Sequence, residues 1–190
     1  MASSLSIEGV QQPGFLSNNL GNQALINQNF NEFHIKEFNE SYLNQIKEVL
    51  LEVQKAGFFA EKDTSVALDV LKEKLLGLWN YDIKVIEAEG IVLGFICYTK
   101  ATLSDSYYEL YWMAVRPSAQ GKGLGRRLIE DMEKDIKSRG GEAILLDTSS
   151  LESHAAARHL YEKMGYKIIS KIENFYSKGE HKLVYKKELN

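Results

Sequence analysis

Residues 109 to 126 read Glu-Leu-Tyr-Trp-Met-Ala-Val-Arg-Pro-Ser-Ala-Gln-Gly-Lys-Gly-Leu-Gly-Arg, and no other stretch restricts the fold as much. Tyr107 to Val115 alternates as a strand does, and Pro117 ends it. Glycines at 121, 123 and 125 follow. A helix is predicted from about Gly123 to Arg139, with Leu124, Leu128, Met132 and Ile136 in one stripe. A glycine turn that runs from a strand straight into a helix curls its backbone N–H groups to one side. The helix end adds its dipole, so the turn is a candidate anion site. Two other phosphate loops do not fit. A dinucleotide fingerprint needs a third glycine where Arg126 stands, and a nucleotide P-loop needs Ser or Thr after Gly-Lys, where Gly123 stands. A plain helix start with glycines for tight packing is the remaining reading of these residues alone.

The rest of the chain supplies the partners for this unit. Phe33 to Phe38 alternates as a strand. A helix capped by Asn39 or Ser41 carries Leu43, Ile46, Leu50 and Val53, and ends at Gly57. Phe58 and Phe59 are expected to sit exposed between elements. A second helix, Thr64 to Leu76, carries Val66, Leu68, Leu71 and Leu75. Strands are predicted over Tyr81 to Glu87 and Ile91 to Thr99, joined by a tight turn at Glu89-Gly90. After the glycine turn and its helix come a short strand (Ala143 to Asp147) and a helix (Ser153 to Met164) closed by Gly165. Two last strands, Tyr166 to Glu173 and Lys182 to Lys187, flank a loop from Asn174 to His181. This order predicts a mixed α/β sheet with helices on its faces. Residues 1 to 32 are rich in Asn, Gln, Ser and Gly with only Glu8 and Glu32 charged, and are expected to be a disordered or loosely docked tail; the domain is assigned to residues 33 to 190.

Composition excludes several classes. The 23 basic and 26 acidic residues give a formal charge of -3 with no basic run, so no nucleic-acid partner is expected. No apolar run approaches the ~18 to 20 residues of a membrane span. No basic, apolar leader opens the chain, so a cytoplasmic setting is expected. Cys97 is the lone cysteine, inside an apolar strand, and reads as a buried structural thiol. With the four histidines dispersed, no metal site is expected.

A second motif lies downstream: Ala157-Arg-His-Leu-Tyr-Glu-Lys-Met-Gly-Tyr166. Together with Gln120-x-x-Gly123-x-Gly125, it resembles the GNAT superfamily of acetyl-CoA-dependent N-acetyltransferases over residues 33 to 190. The resemblance implies a mostly antiparallel central sheet with a splayed strand pair, flanked by about four helices. It implies coenzyme A as the anion, its pyrophosphate held by Gln120, Gly121, Lys122, Gly123, Leu124, Gly125 and Arg126. The pantetheine arm would pair with Met113, Ala114 and Val115, and the Met113 N–H would polarise the thioester carbonyl. His154 stands where many members carry Asn in contact with the coenzyme.

The resemblance also assigns catalysis. Tyr161 matches the tyrosine that protonates the departing thiolate. Glu109 matches the glutamate base of some members and is expected to share a strand face with Tyr111 and Met113. Glu109 also reads as a solvated strand residue or a substrate-binding carboxylate, and Tyr161 as a core tyrosine. Phe58, Phe59, Trp79, Tyr111 and Tyr176 are the candidate acceptor pocket. The expected activity is direct transfer of acetyl from acetyl-CoA to a primary amine, of a small molecule first. A peptide or protein amine, or a non-catalytic acyl-CoA-binding module, is the alternative. A homodimer built on the last strands or the tail is the one protein partner the reading allows.

Overall fold

The structure, a computed structural model, describes residues 32–189; the segment expected to be a tail lies outside them except for Glu32. Among the described residues there are seven strands: β1 His34–Glu37, β2 Asp82–Ala88, β3 Ile91–Lys100, β4 Tyr107–Val115, β5 Ala143–Ser149, β6 Lys167–Ser177 and β7 Glu180–Glu188. Four helices accompany them: α1 Leu43–Lys55, α2 Glu61–Leu75, α3 Leu124–Ser138 and α4 Ala155–Lys163. The strands form one sheet in the order β1-β2-β3-β4-β5-β7-β6. Every neighbouring pair is antiparallel except β4 and β5. The mixed, mostly antiparallel sheet with four flanking helices is as expected.

The sheet is covered on both faces in its middle, which is why β3 is apolar along most of its length. Leu93, Ile96 and Tyr98 pack with Leu124, Leu128 and Met132 of α3 on one face. Val92, Phe95 and Cys97 pack with Ile46, Val49 and Leu50 of α1 and Leu71 of α2 on the other. Each such side chain taken from water is worth about 1.5–3 kcal/mol. Cys97 is buried and free, and burial pushes its thiol far above the ordinary range, so it is inert.

Several elements differ from the expectation. Helix α2 starts at Glu61 rather than near Thr64, because the Asp63 carboxylate accepts the Ala60 N–H at 2.8 Å and secures the first turn. Its buried stripe is Thr64, Ala67, Val70 and Leu71, while Val66 and Leu75 face outward. Phe58 and Phe59 are not exposed: both are half-buried against the α1–α2 cluster. The segment from Asn174 to His181, expected as a loop, is mostly strand, with an irregular register between Ile172 and Ser177. Its true turn is Lys178-Gly179, where Gly179 takes a φ of +86°. The polar composition of that hairpin hides how far its strands extend, since β6 is an edge strand exposed nearly throughout and needs no buried face.

Candidate active site

Strand β4 has two unlike neighbours. It pairs with β3 along its whole length, from Tyr108 opposite Lys100 to Val115 opposite Gly94. It pairs with β5 only over Tyr107–Leu110 against Ala143–Leu146. Past Leu110 the ladder with β5 stops, leaving that side of Tyr111 to Val115 without strand pairing. A bulge marks the place. Cys97 faces Trp112 and Tyr98 faces Leu110, so Tyr111 is an extra residue. The bulge puts both Tyr111 and Trp112 on the α1–α2 face, with Tyr81 5.4 Å from Tyr111 and Phe59 5.6 Å from Trp112. It also corrects one expectation: Met113 does not share a face with Glu109 and Tyr111, but packs on the α3 cluster.

The glycine turn stands at the open end of this gap. A short 3-10 turn, Pro117–Ala119, leads into it. Gly121 and Gly123 take φ of +76° and +77°, the left-handed region where only glycine is unstrained. A Cβ at either position would point into open space. Gly125 is needed for a different reason. A Cβ there would meet Leu160 of α4 at 3.1 Å, so the glycine lets α4 lie against the first turn of α3. The first intrahelical bond of α3 runs from the Arg127 N–H to the Gly123 carbonyl at 3.1 Å. The donors of Leu124, Gly125 and Arg126 precede it and point out of the helix end, which carries no side-chain cap. Gln120 donates from Nε2 to the Val115 carbonyl at 3.1 Å, closing the turn onto the end of β4. Lys122 is exposed at the tip, and Arg127 lies over the Phe33 ring at 5.5 Å. Left-handed glycines, outward N–H donors and a helix N-terminus together fit the diphosphate of a coenzyme such as coenzyme A.

Helix α4 carries Tyr161 into the core cluster that also holds Leu110 of β4 and Leu146 of β5, the last residues that pair those strands. Its ring is wedged between Tyr166 at 6.1 Å and Tyr185 at 5.9 Å, and the residue is 8% exposed. Burial raises the pKa of its phenol well above the ordinary value, so the hydroxyl stays protonated near neutral pH. His154 precedes α4 and is half-buried; burial lowers its pKa and favours the neutral ring. Its Nδ1 lies 3.1 Å from the Ser153 hydroxyl.

The residues expected to form an acceptor pocket divide into three places. Glu109, Tyr111 and Trp79 line one open groove with Tyr81, Lys74 and Asp105. Trp79 stacks on Tyr81 at 6.1 Å, and Trp79 and Tyr111 are each about half exposed, at 53% and 47%. Phe58 and Phe59 are packing residues beside that groove rather than lining it. Tyr176 belongs to the β6–β7 hairpin and donates to Asp147 Oδ1 at 3.2 Å, with Lys62 of α2 6.0 Å above its ring.

Asp147 is the residue the sequence reading missed. It lies on β5 one position past the last pairing with β4, so the splay exposes it. Its carboxylate also pairs with Lys182, and its charge acts on the hydroxyls of Tyr111, Tyr161 and Tyr176. The signal that could have found it is an acidic residue closing an otherwise apolar strand. Arg158 donates to the carbonyls of Ser149 and Leu151 at 2.8 and 2.6 Å and holds the β5–α4 connection.

Known proteins agree with this architecture. The model of the Acetyltransferase (GNAT) family matches residues 33–166. The [Ribosomal protein bS18]-alanine N-acetyltransferase of Haemophilus influenzae is 31% identical over 97 residues, 51% of this chain and 62% of its own length, so the match spans under two thirds of that relative. A solved GNAT-family protein from Desulfovibrio desulfuricans superposes with a TM-score of 0.77 at 26% identity, covering 84% of this chain and all of that one. An aminoglycoside 6'-N-acetyltransferase complexed with coenzyme A shares the fold, with a TM-score of 0.67 at 20% identity over 83% of this chain and 97% of that one. With the family model spanning well over half its length, and with the strand splay and glycine turn in place, this chain belongs to the GNAT acetyltransferase family.

Proposed function

We propose that the protein transfers an acetyl group from acetyl-CoA directly to a primary amine. The observation that carries this reading is the gap between β4 and β5 opening onto the glycine turn. A thioester arm fits there as an added strand, with its diphosphate on the open end of α3.

The geometry supports the following roles. Backbone groups of Met113 and Val115 are assigned to the unpaired edge of β4, with the Met113 N–H on the thioester carbonyl, while the Ala114 carbonyl lies against Gly94 of β3. The N–H groups from Gly121 to Arg126 hold the diphosphate. Acetyl-CoA supplies the activated acyl group. Glu109, on the face toward the groove, takes the ammonium proton directly or through water. Asp147 stands across the splay as the second carboxylate able to hold the amine. Tyr161 gives its proton to the departing thiolate, a role its protonated phenol suits. Cys97 takes no part, because its thiol is buried.

The acceptor is assigned first to a small-molecule amine, because Trp79, Tyr111 and Glu109 form an open groove that a compact amine can enter. A peptide N-terminus is the second reading, favoured by the Haemophilus influenzae relative, whose name specifies a ribosomal-protein alanine. Calorimetric titration of acetyl-CoA into the full-length protein tests the coenzyme site. A turnover assay over small amines and Ala-starting peptides then tests the acceptor. Micromolar binding with turnover of the amines is expected. Absence of coenzyme binding would remove the enzyme reading, and turnover of peptides alone would exchange the two acceptor classes.

A further inference from the structure

Among the described residues Arg116 heads the large fully buried side chains, at 1% exposure, and the reaction just described gives it no part. It stands between the unpaired end of β4 and Pro117, where the glycine turn begins. Its backbone N–H donates to the Leu93 carbonyl and its Nε to the Val92 carbonyl, each at 2.7 Å. The two terminal nitrogens of the guanidinium leave β3 for α1. One donates to Glu52, and the other to Glu48 at 3.1 Å. Glu48 and Glu52 are one helical turn apart and partly open to solvent. One residue thus ties the end of β4 to two successive carbonyls of β3 and to two carboxylates of α1.

The neighbouring residues show why this position is clamped. Ala114 packs beneath α1 with Val49, Leu50 and Val53. Gly94 of β3 lies so close to β4 that a Cβ there would sit 2.6 Å from the Ala114 carbonyl oxygen. The segment Ala114–Arg116 is therefore held by β3 and by α1, while no strand pairs with its β5 side. A buried guanidinium is a poor way to gain stability, since an apolar side chain of similar volume is often as stable or more so. Its directed hydrogen bonds fix orientation, which an apolar residue does not.

We propose that Arg116 is a positioning residue for the coenzyme: by clamping the end of β4 to β3 and α1, it sets the angle at which the glycine turn meets the gap. Glu48 and Glu52 are then remote determinants of coenzyme affinity, although α1 has no place in the coenzyme site. This rests on the proposed coenzyme site.

The test is calorimetric titration of coenzyme A into the full-length protein, with a thermal melt of each variant. Arg116→Met should keep a cooperative melt within a few degrees of wild type and bind coenzyme A about tenfold more weakly, the scale on which a small misplacement acts. Arg116→Lys should recover part of the affinity, because it restores the charge but not the Nε bond to Val92. Glu48→Gln, at a residue open enough to tolerate change, should weaken binding about two- to threefold with an unaltered melt. Affinities within 1.5-fold of wild type in the folded variants overturn the proposal. So does a loss of affinity that tracks the melting temperature alone, or one that Arg116→Lys does nothing to restore. If Arg116→Met does not fold, Arg116→Lys and Glu48→Gln decide by the same criteria. Failure of the wild-type protein itself to bind coenzyme A overturns the underlying assignment, a result distinct from equal binding by wild type and variants.

Discussion

The coenzyme half and the acceptor half of the proposed site are built by different means. The coenzyme half is mostly backbone from one short run, Met113 to Arg126, whose conformation is set by the glycines within it. The acceptor half is side chains: Trp79 before β2, Glu109 and Tyr111 on β4, and Asp147 on β5, which Tyr176 of β6 contacts. A backbone site tolerates change at surrounding side chains but not a change of φ. A side-chain site can be altered one residue at a time, which lets one fold serve many acceptors.

That contrast predicts a graded series. The largest effect is expected from Gly123→Val. A β-branched residue at φ +77° is strained, and its side chain would enter the open space before the helix end. Titration should show coenzyme binding weakened about a hundredfold or more; unchanged affinity would break the assignment of this half. Next is Tyr161→Phe, which should leave coenzyme affinity near wild type and lower kcat about a hundredfold, the low end for a general acid. A wild-type kcat would return Tyr161 to a packing role between Tyr166 and Tyr185.

Glu109→Gln and Asp147→Asn sharpen the acceptor half. Each should lower kcat/KM about tenfold or more, and the base is the one whose loss removes the acid limb of the pH–rate profile. An unaltered profile in both variants would place the base elsewhere. Trp79→Ala should raise the acceptor KM several-fold and leave coenzyme affinity untouched, since the indole lies in the groove and not in the gap. An effect on coenzyme binding would blur the two halves into one.

The smallest effect concerns stability. Burial lowers the His154 pKa below 6.5, so the unfolded state binds more protons there than the native state does as the pH falls through that range. Stability should therefore decline below about pH 6.5, and His154→Asn should lessen the decline. Melts from pH 7.5 to 5 check it, and parallel curves for the two proteins would contradict the shift.

Much of this was readable before any coordinates. Leu124, Leu128, Met132 and Ile136 announced α3, and all four are buried. The Gly121–Gly125 spacing announced a turn, and two of its glycines take the left-handed conformation that only glycine adopts freely. Other features were less readable. Val66 and Leu75 read as core and face solvent, because α2 packs through Thr64, Ala67, Val70 and Leu71. Both strands of the β6–β7 hairpin are legible, but their ends beside the turn bury little apolar surface and leave no periodic pattern.

What the sequence by itself determined are the local devices: which runs alternate, where helices start and stop, and which turn can face an anion. These rest on φ preferences and on the periodicity of apolar residues, both properties of neighbours in the chain. Only the tertiary structure decided that β4 and β5 part after Leu110, that the bulge at Tyr111 turns Met113 away from Glu109, that Asp147 meets Tyr176, and that Arg116 meets α1. Each depends on how segments 12 to 68 residues apart are brought together. Register is fixed by how whole faces bury against each other, and a run of side chains read in isolation does not contain it.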